Sequence, residues 1–434
     1  MLLPFAEASA AGADGFTLSG TSRFRYEAID GQPRAGFNKS DDLFNIRTTV
    51  LAQYVDGPVR IATELWDSRI YGARTGAPIT TGESNALEFV QAFVEVKAHA
   101  PFGAGSSATV QAGRFMLNLG SRRLVAADDY RNTTNGYTGL RLDAGWRGGW
   151  HATAVYTLPQ QRRPDDFDSL RHNRVVVDHE GWDEVLWGGV ISRAPAPHAP
   201  MAELSFFHLG EHDMPGRPTR NRSLDTVSAR LIRQPAPGKT DFEVEGIAQF
   251  GRIATSLAAT APRQSVGAWF VHAAFGRTFR TAWSPRVSLE YDHASGDRPG
   301  GRYGRFDSLF GMRRADYAPA GLYNAIQRGN LISPAIRLQV TPGKRTDAFI
   351  AYRPMWLATR EDAFATSGVR DPNGRSGRFA GHQIDSRIRH DLTKALRLEL
   401  DATLLAKGHF LRDAPNATAG RWTRYVSMNA TVSF

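Results

Sequence analysis

The last stretch of the chain, Arg421 to Phe434, reads RWTRYVSMNATVSF. Trp422, Val426, Met428, Ala430, Val432 and Phe434 fall on one parity; Arg421, Thr423, Tyr425, Ser427, Asn429, Thr431 and Ser433 fall on the other. Arg424 is the one charge on the apolar side, close to the start. Successive side chains of a strand point to opposite faces, so this segment has one greasy and one polar face. A soluble sandwich can also end on an alternating strand. The decision rests on whether the pattern repeats.

It repeats from Phe16 onward. In LFNIRTTVLAQY, Phe44, Ile46, Val50, Ala52 and Tyr54 oppose Asn45, Arg47, Thr49 and Gln53. In LRLELDATLLAK, Leu396, Leu398, Leu400, Ala402, Leu404 and Ala406 oppose Arg397, Glu399, Asp401, Thr403 and Lys407. On a helix these charges would scatter to all sides; on a strand they separate. About eighteen such segments fit the chain, an even number as bacterial single-chain barrels require. Their connections alternate between short and long. The short ones include Asp56-Gly57, Arg147-Gly148, QPAPGKT (234–240), TPGKR (341–345) and DLTKA (391–395), with Gly and Pro supplying turn chemistry. The long ones include 72–86, 119–135, 159–181, 294–328 and 359–381. Tight turns at one end and long polar loops at the other mark an outer-membrane barrel, with both termini on the short-turn side. The expectation is an all-β chain: a single transmembrane antiparallel β-barrel over residues 15–434.

The totals agree. Among 434 residues, no run of about eighteen apolar residues offers a transmembrane helix, a test that a barrel evades. Cysteine is absent, which excludes disulfides and thiolate metal sites and suits passage through an oxidising compartment. Residues 1–14 read as a signal-peptide remnant or a disordered tail, with Ala8-Ser9-Ala10 in the small-x-small form of a cleavage site.

The formal charge of +10 calls for an anionic partner: nucleic acid, membrane surface or solute. Position decides among them. A barrel in lipid turns its apolar parity outward, so the polar parity lines the lumen. Arg23, Arg25, Arg47, Arg141, Arg230, Arg337, Arg387, Arg389 and Arg397 then face inward, as do Glu27, Glu95, Asp143, Glu243, Glu245, Glu290, Asp292, Asp385, Glu399 and Asp401. Many of these pairs serve as ladders that hold strands in register. An eighteen-strand lumen is too wide for side chains to fill, so a water path or a loop plug is expected. Inward Arg and Lys select anions, and the arginine fork suits carboxylates. Nucleic-acid binding would gather the charge on one exposed patch and is not expected. His151, His208 and His272 sit in no Ser/His/Asn pattern, so no enzyme and no cofactor is expected. HLGEHD (208–213) reads as a solvated loop rather than a metal site.

Several segments together resemble the alginate export family of bacterial outer-membrane channels. GRFMLNLGSRRLVAADDYRNT (113–133) followed by TGLRL (138–142) is similar to its central motif. LFNIRTTVLAQY and ATELWDSRIYG resemble its second and third strands. YDHASGD with GRFDSLFG resembles its long loop, and GHQIDSRIRHDLTKALRLELDATLLAKGHFL its closing hairpin. Phe115 stands where a polar amide is common, and GMRRADYAPAGLYN lacks the expected aromatic-His pattern. The resemblance implies an eighteen-stranded channel exporting a polyuronate through an Arg-rich constriction. Carried over residue by residue, it makes Arg47, Arg69, Arg114, Arg123, Arg131, Arg141 and Arg387 pathway candidates, with Asp128 and Asp143 as acidic partners. Arg337 and Arg389 join them from the parity argument. The implied partners are an anionic polysaccharide or a small anionic solute, outer-membrane lipid and a periplasmic export machinery, with the chain acting as a monomer. The alternative is a weakly selective general porin.

Overall fold

The computed structural model describes residues 14–434 apart from 128, 129, 195, 197, 198, 313–315, 318 and 320. Residues 1–13 of the expected leader, and Asp128, lie outside the described residues. Eighteen strands follow one another in chain order. They are β1 (Gly15–Asp30), β2 (Ser40–Asp56), β3 (Val59–Tyr71), β4 (Asn85–His99), β5 (Ser107–Phe115), β6 (Tyr137–Trp146), β7 (Trp150–Pro159), β8 (Glu184–Arg193) and β9 (Met201–Glu211). They continue with β10 (Ser223–Arg233), β11 (Thr240–Ala254), β12 (Arg263–Thr278), β13 (Arg286–Ala294), β14 (Leu331–Gly343), β15 (Thr346–Trp356), β16 (Phe379–Asp391), β17 (Leu396–Lys407) and β18 (Trp422–Ser433). Two short helices, α1 (Phe167–Arg171) and α2 (His409–Asp413), sit in loops. Every strand pairs antiparallel with its sequence neighbours, and β1 pairs with both β2 and β18, which closes the barrel. Closure leaves no unpaired sheet edge, the condition for a sheet to cross lipid.

The two faces separate as the alternation requires. On β17, Leu398, Leu400 and Leu404 are exposed while Asp401, Thr403 and Lys407 are buried. On β18, Trp422 and Met428 are exposed while Thr423, Tyr425 and Ser427 are buried. The exposed apolar residues are the lipid-facing wall, and the buried polar ones point into the lumen.

The apolar core lies inside the barrel and is built largely from loops. We label the loop 116–136 L3, 160–183 L4, 295–330 L7 and 357–378 L8. Leu117, Leu119 and Val125 of L3 are buried together with Phe306, Leu322 and Tyr323 of L7 and Phe364 of L8. L3 and L7 pair within the lumen: Phe310 N–H donates to the Leu124 carbonyl at 2.9 Å, and Ala126 N–H to the Phe310 carbonyl at 3.2 Å. Each buried Leu or Phe contributes about 1.5–3 kcal/mol, so Leu117, Leu119, Leu124, Phe306 and Leu322, with Val125, Ile326 and the buried tyrosines, hold two long loops against their conformational entropy. The expected plug is therefore made of loops, with L3 and L7 as its centre.

Candidate functional site: the lumen wall and its periplasmic mouth

Strand register arranges the inward residues in rows around the wall. One row runs Asn45, Arg25, Asn429, Glu399, Arg389, Asp347 across β2, β1, β18, β17, β16 and β15. A neighbouring row runs Glu27, Ser427, Asp401, Arg387, Phe349. On the far side, Glu203, Arg230, Glu245, His272 and Asp292 form a third across β9 to β13. Cation and anion interleave within these rows, so the cross-strand ladders expected from sequence are present.

Three of the candidates meet on one wall. The Asp347 carboxylate accepts from Arg387 Nη2 at 2.7 Å and from Arg389 Nε at 2.8 Å. Arg337 stacks on the Phe349 ring at 3.7 Å, and Arg387 reaches the same ring at 5.2 Å. Two guanidiniums thus share one carboxylate, with a third beside them on an aromatic platform. Across the lumen Arg141 pairs with Asp143 at 2.6 Å, both half-buried.

Other candidates hold the plug. Arg47 donates to the Arg131 carbonyl at 3.0 Å and lies over the Trp66 ring at 4.5 Å. Arg23 donates to the carbonyls of Tyr130 and Arg131, and Arg25 to that of Tyr130. Arg131 thus enters this contact through its backbone. At the opposite end of L3, Arg123 is buried between Glu243 (2.5 Å), Glu245 (2.6 Å) and Asp316 (2.8 Å). L3 therefore spans the lumen from β11 to β1 and β2, tied at both ends by arginine.

Arg69 and Arg114 lie on the outward parity, contrary to the lumen position expected of them. On β3 the inward residues are Ala62, Glu64, Trp66, Ser68 and Ile70, leaving Asp67 and Arg69 facing out and paired at 2.9 Å. Arg114 binds Glu88 at 2.9 Å and Glu180 at 3.0 Å. Both sit within two residues of the loop end of their strands, at the edge of the hydrocarbon, where outward polar groups meet headgroups and water. His208 and Glu211 of the HLGEHD segment are split between faces: His208 pairs outward with Asp225, and Glu211 binds Arg222.

Sequence reasoning missed the residues of the mouth. The eight short connections, taken between strand ends, carry Arg147, Lys239, Arg280, Lys344, Arg345 and Lys394 and no Asp or Glu. Arg345, Lys394 and Arg397 line a cavity of about 200 Å³ there, with Asp391, Thr393 and Ser433. Turn composition would have revealed this, had the turns been read for charge as well as for Gly and Pro. Asp347 and Phe349 were also missed. An aromatic on the polar parity was the available signal.

The comparisons agree with this geometry. The family model described as "Alginate export" matches residues 16–424. No curated protein matches the sequence. Among solved structures, Acinetobacter baumannii OccAB1 aligns with a TM-score of 0.60 at 12% identity, covering 96% of each chain. Pseudomonas aeruginosa OccK3 (OpdO) gives 0.58 at 12% identity, covering 96% of this chain and 95% of its own. Pseudomonas aeruginosa OccK2 (OpdF), solved in complex with glucuronate, gives 0.57 at 12% identity and 96% of each. At such identity these structures speak for the fold alone. With an alternating closed wall, a loop-filled lumen and a family match over nearly its whole length, this chain belongs to the alginate export family and is a β-barrel of the bacterial outer membrane.

Proposed function

We propose that the barrel conducts carboxylated solutes, acidic polysaccharide or uronate-like organic acids, from the periplasm outward. The observation that carries this reading is the charge of the short-turn mouth, six cationic turn residues without a carboxylate among them. Turns of one sign raise the local concentration of the opposite ion, which favours its entry into the lumen; Asp56 and Asp391, at the adjoining strand ends, offset them only in part. Behind it, the Arg337–Arg387–Arg389 wall offers guanidinium forks that already bind one carboxylate, that of Asp347. A solute carboxylate passing this point exchanges with Asp347 instead of losing its hydrogen bonds. The glucuronate bound by the OccK2 barrel carries the same functional group.

The second reading, a weakly selective porin, draws on the ion pairing itself. Guanidiniums that are locally neutralised attract less, as at Arg141–Asp143 and Arg397–Asp391. Reversal potentials in planar bilayers separate the two. Under a salt gradient the protein is expected to prefer chloride over potassium, and oligouronate added on the turn side is expected to block. Replacing Arg387 and Arg389 with Ala weakens both effects. Equal permeability to cation and anion, with no block, would establish the porin reading instead.

A further inference from the structure

The longest run of short strands lies along β5, β6, β7 and β8; β13 is as short as β5 but stands between the longer β12 and β14. β5 has 9 residues and β6 has 10, against 17 in β2. With strands tilted about 45°, β5 rises roughly 20 Å, no more than the apolar band of an outer-membrane barrel. Its upper end therefore reaches only the outer-leaflet boundary. L4 crosses this notch between two turns, extended over 174–181, and is pinned by its polar side chains. The Asn173 amide accepts from Ile70 N–H and donates to the Ile70 carbonyl, both at 2.8 Å, and so completes the free edge of β3. Asp178 accepts from Asn85 Nδ2 at 3.0 Å and from Arg163 N–H at 2.8 Å. Glu180 takes the Thr138 hydroxyl at 2.5 Å and Arg114 at 3.0 Å, both on the outward face of the wall. The Trp182 ring lies 6.3 Å from that of Tyr156, which also faces out.

The apolar side chains of this segment remain largely open. Val175, Val176 and Val177 are 54%, 42% and 71% exposed, and Trp182 is 71% exposed. Below them the outward wall presents Phe89, Leu140 and Tyr156, which face lipid. We propose that the Val175–Val177 strip and Trp182 lie in the boundary between headgroups and acyl chains of the outer leaflet, so that L4 extends the lipid-facing surface over the low wall. Continuity with that surface assigns the occupant. Trp is the residue favoured at such a boundary, and burying three valines there removes apolar area from water. A second copy of the chain fits less well. One extended ribbon offers far less than the about 800 Å² per partner of a stable interface.

The chain contains no cysteine, so Val177→Cys gives it a single labelling site. An environment-sensitive fluorophore is attached there, and at Ala258→Cys, an exposed position in the loop 255–262, for comparison. Both proteins are reconstituted in liposomes. At position 177 the emission is expected to shift to the blue, and nitroxide-labelled lipid is expected to quench it about threefold more than at 258, with iodide showing the reverse order. Iodide quenching equal at the two positions would overturn the assignment. So would shielding at 177 that disappears as the protein-to-lipid ratio is lowered, because a second copy would then be the cover.

Discussion

Arg123 marks what a residue can and cannot reveal in sequence. Its guanidinium is saturated by Glu243, Glu245 and Asp316, residues more than a hundred positions away. Local alternation makes the two glutamates inward-facing, but nothing local places a loop between them. Removing one partner of such a buried cluster strands the others, at a cost several times that of a surface pair. Asp178 of L4 makes a prediction at the same scale. Burial, more than any neighbour, raises its carboxyl from 3.8 to about 6, and its hydrogen bonds only partly offset this. The folded loop therefore holds a proton that the opened loop releases between those two values. Its anchoring is strongest below pH 3.8, weakens as pH rises to about 6, and is level above that. Hydrogen exchange of the L4 amides, corrected for intrinsic rates, should show opening up to about a hundredfold more frequent at pH 7.5 than at pH 4. Asp178→Asn should flatten that dependence. A flat profile in the unmodified protein would show that the carboxyl does not govern the loop.

At the scale of elements, the strands were legible because the bilayer enforces a period of two with lipid on one side. The reading weakens where that constraint ends. Asp67 and Arg69 on β3, and Arg114 on β5, face outward at the upper ends of their strands, where the wall reaches the headgroup boundary and polarity no longer reports the face. The seam between the first and last strands depends on a detail that alternation does not show. Gly20 N–H donates to the Phe434 carbonyl at 2.9 Å, and Phe434 N–H donates back to Gly20 at 3.0 Å. The Phe434 ring covers the glycine so closely that a Cβ would meet its Cζ at 2.5 Å and the Thr49 carbonyl at 2.3 Å. The terminal aromatic thus packs on a strand glycine, a device that restores apolar cover where a side chain is missing. Gly20→Val should open this corner of the barrel and cost about 1–3 kcal/mol, the range of overpacking. Heat-modified electrophoretic mobility measures it: the variant should convert to the unfolded band at lower temperature. Conversion at the unchanged temperature would mean that the seam tolerates the extra volume.

For the molecule as a whole, fold and membrane were legible from repetition, while the pathway was not, because it depends on which loops fold inward and on strand register. Arg387 and Arg389 share Asp347 only because β15 pairs with β16 in one register. The charge asymmetry between the two ends is likewise a property of the assembled barrel. Six turn residues scattered from 147 to 394 become one collar at a single mouth. Reversing the sign of three neighbours, in the variant Lys344→Glu, Arg345→Glu, Lys394→Glu, brings the turn collar to zero net charge and leaves the ladders above it in place. At 0.1 M salt, where charges act over about 10 Å, the variant should lose most of its anion preference and should pass anions less readily from the turn side than from the loop side. At 1 M salt the reach falls to about 3 Å, and variant and parent should converge. This convergence separates the collar from the Arg337–Arg387–Arg389 wall, because buried and half-buried guanidiniums are screened less than an exposed turn. If the variant keeps the parent's selectivity at 0.1 M, the mouth does not select, and the discrimination belongs to the Arg337–Arg387–Arg389 wall alone.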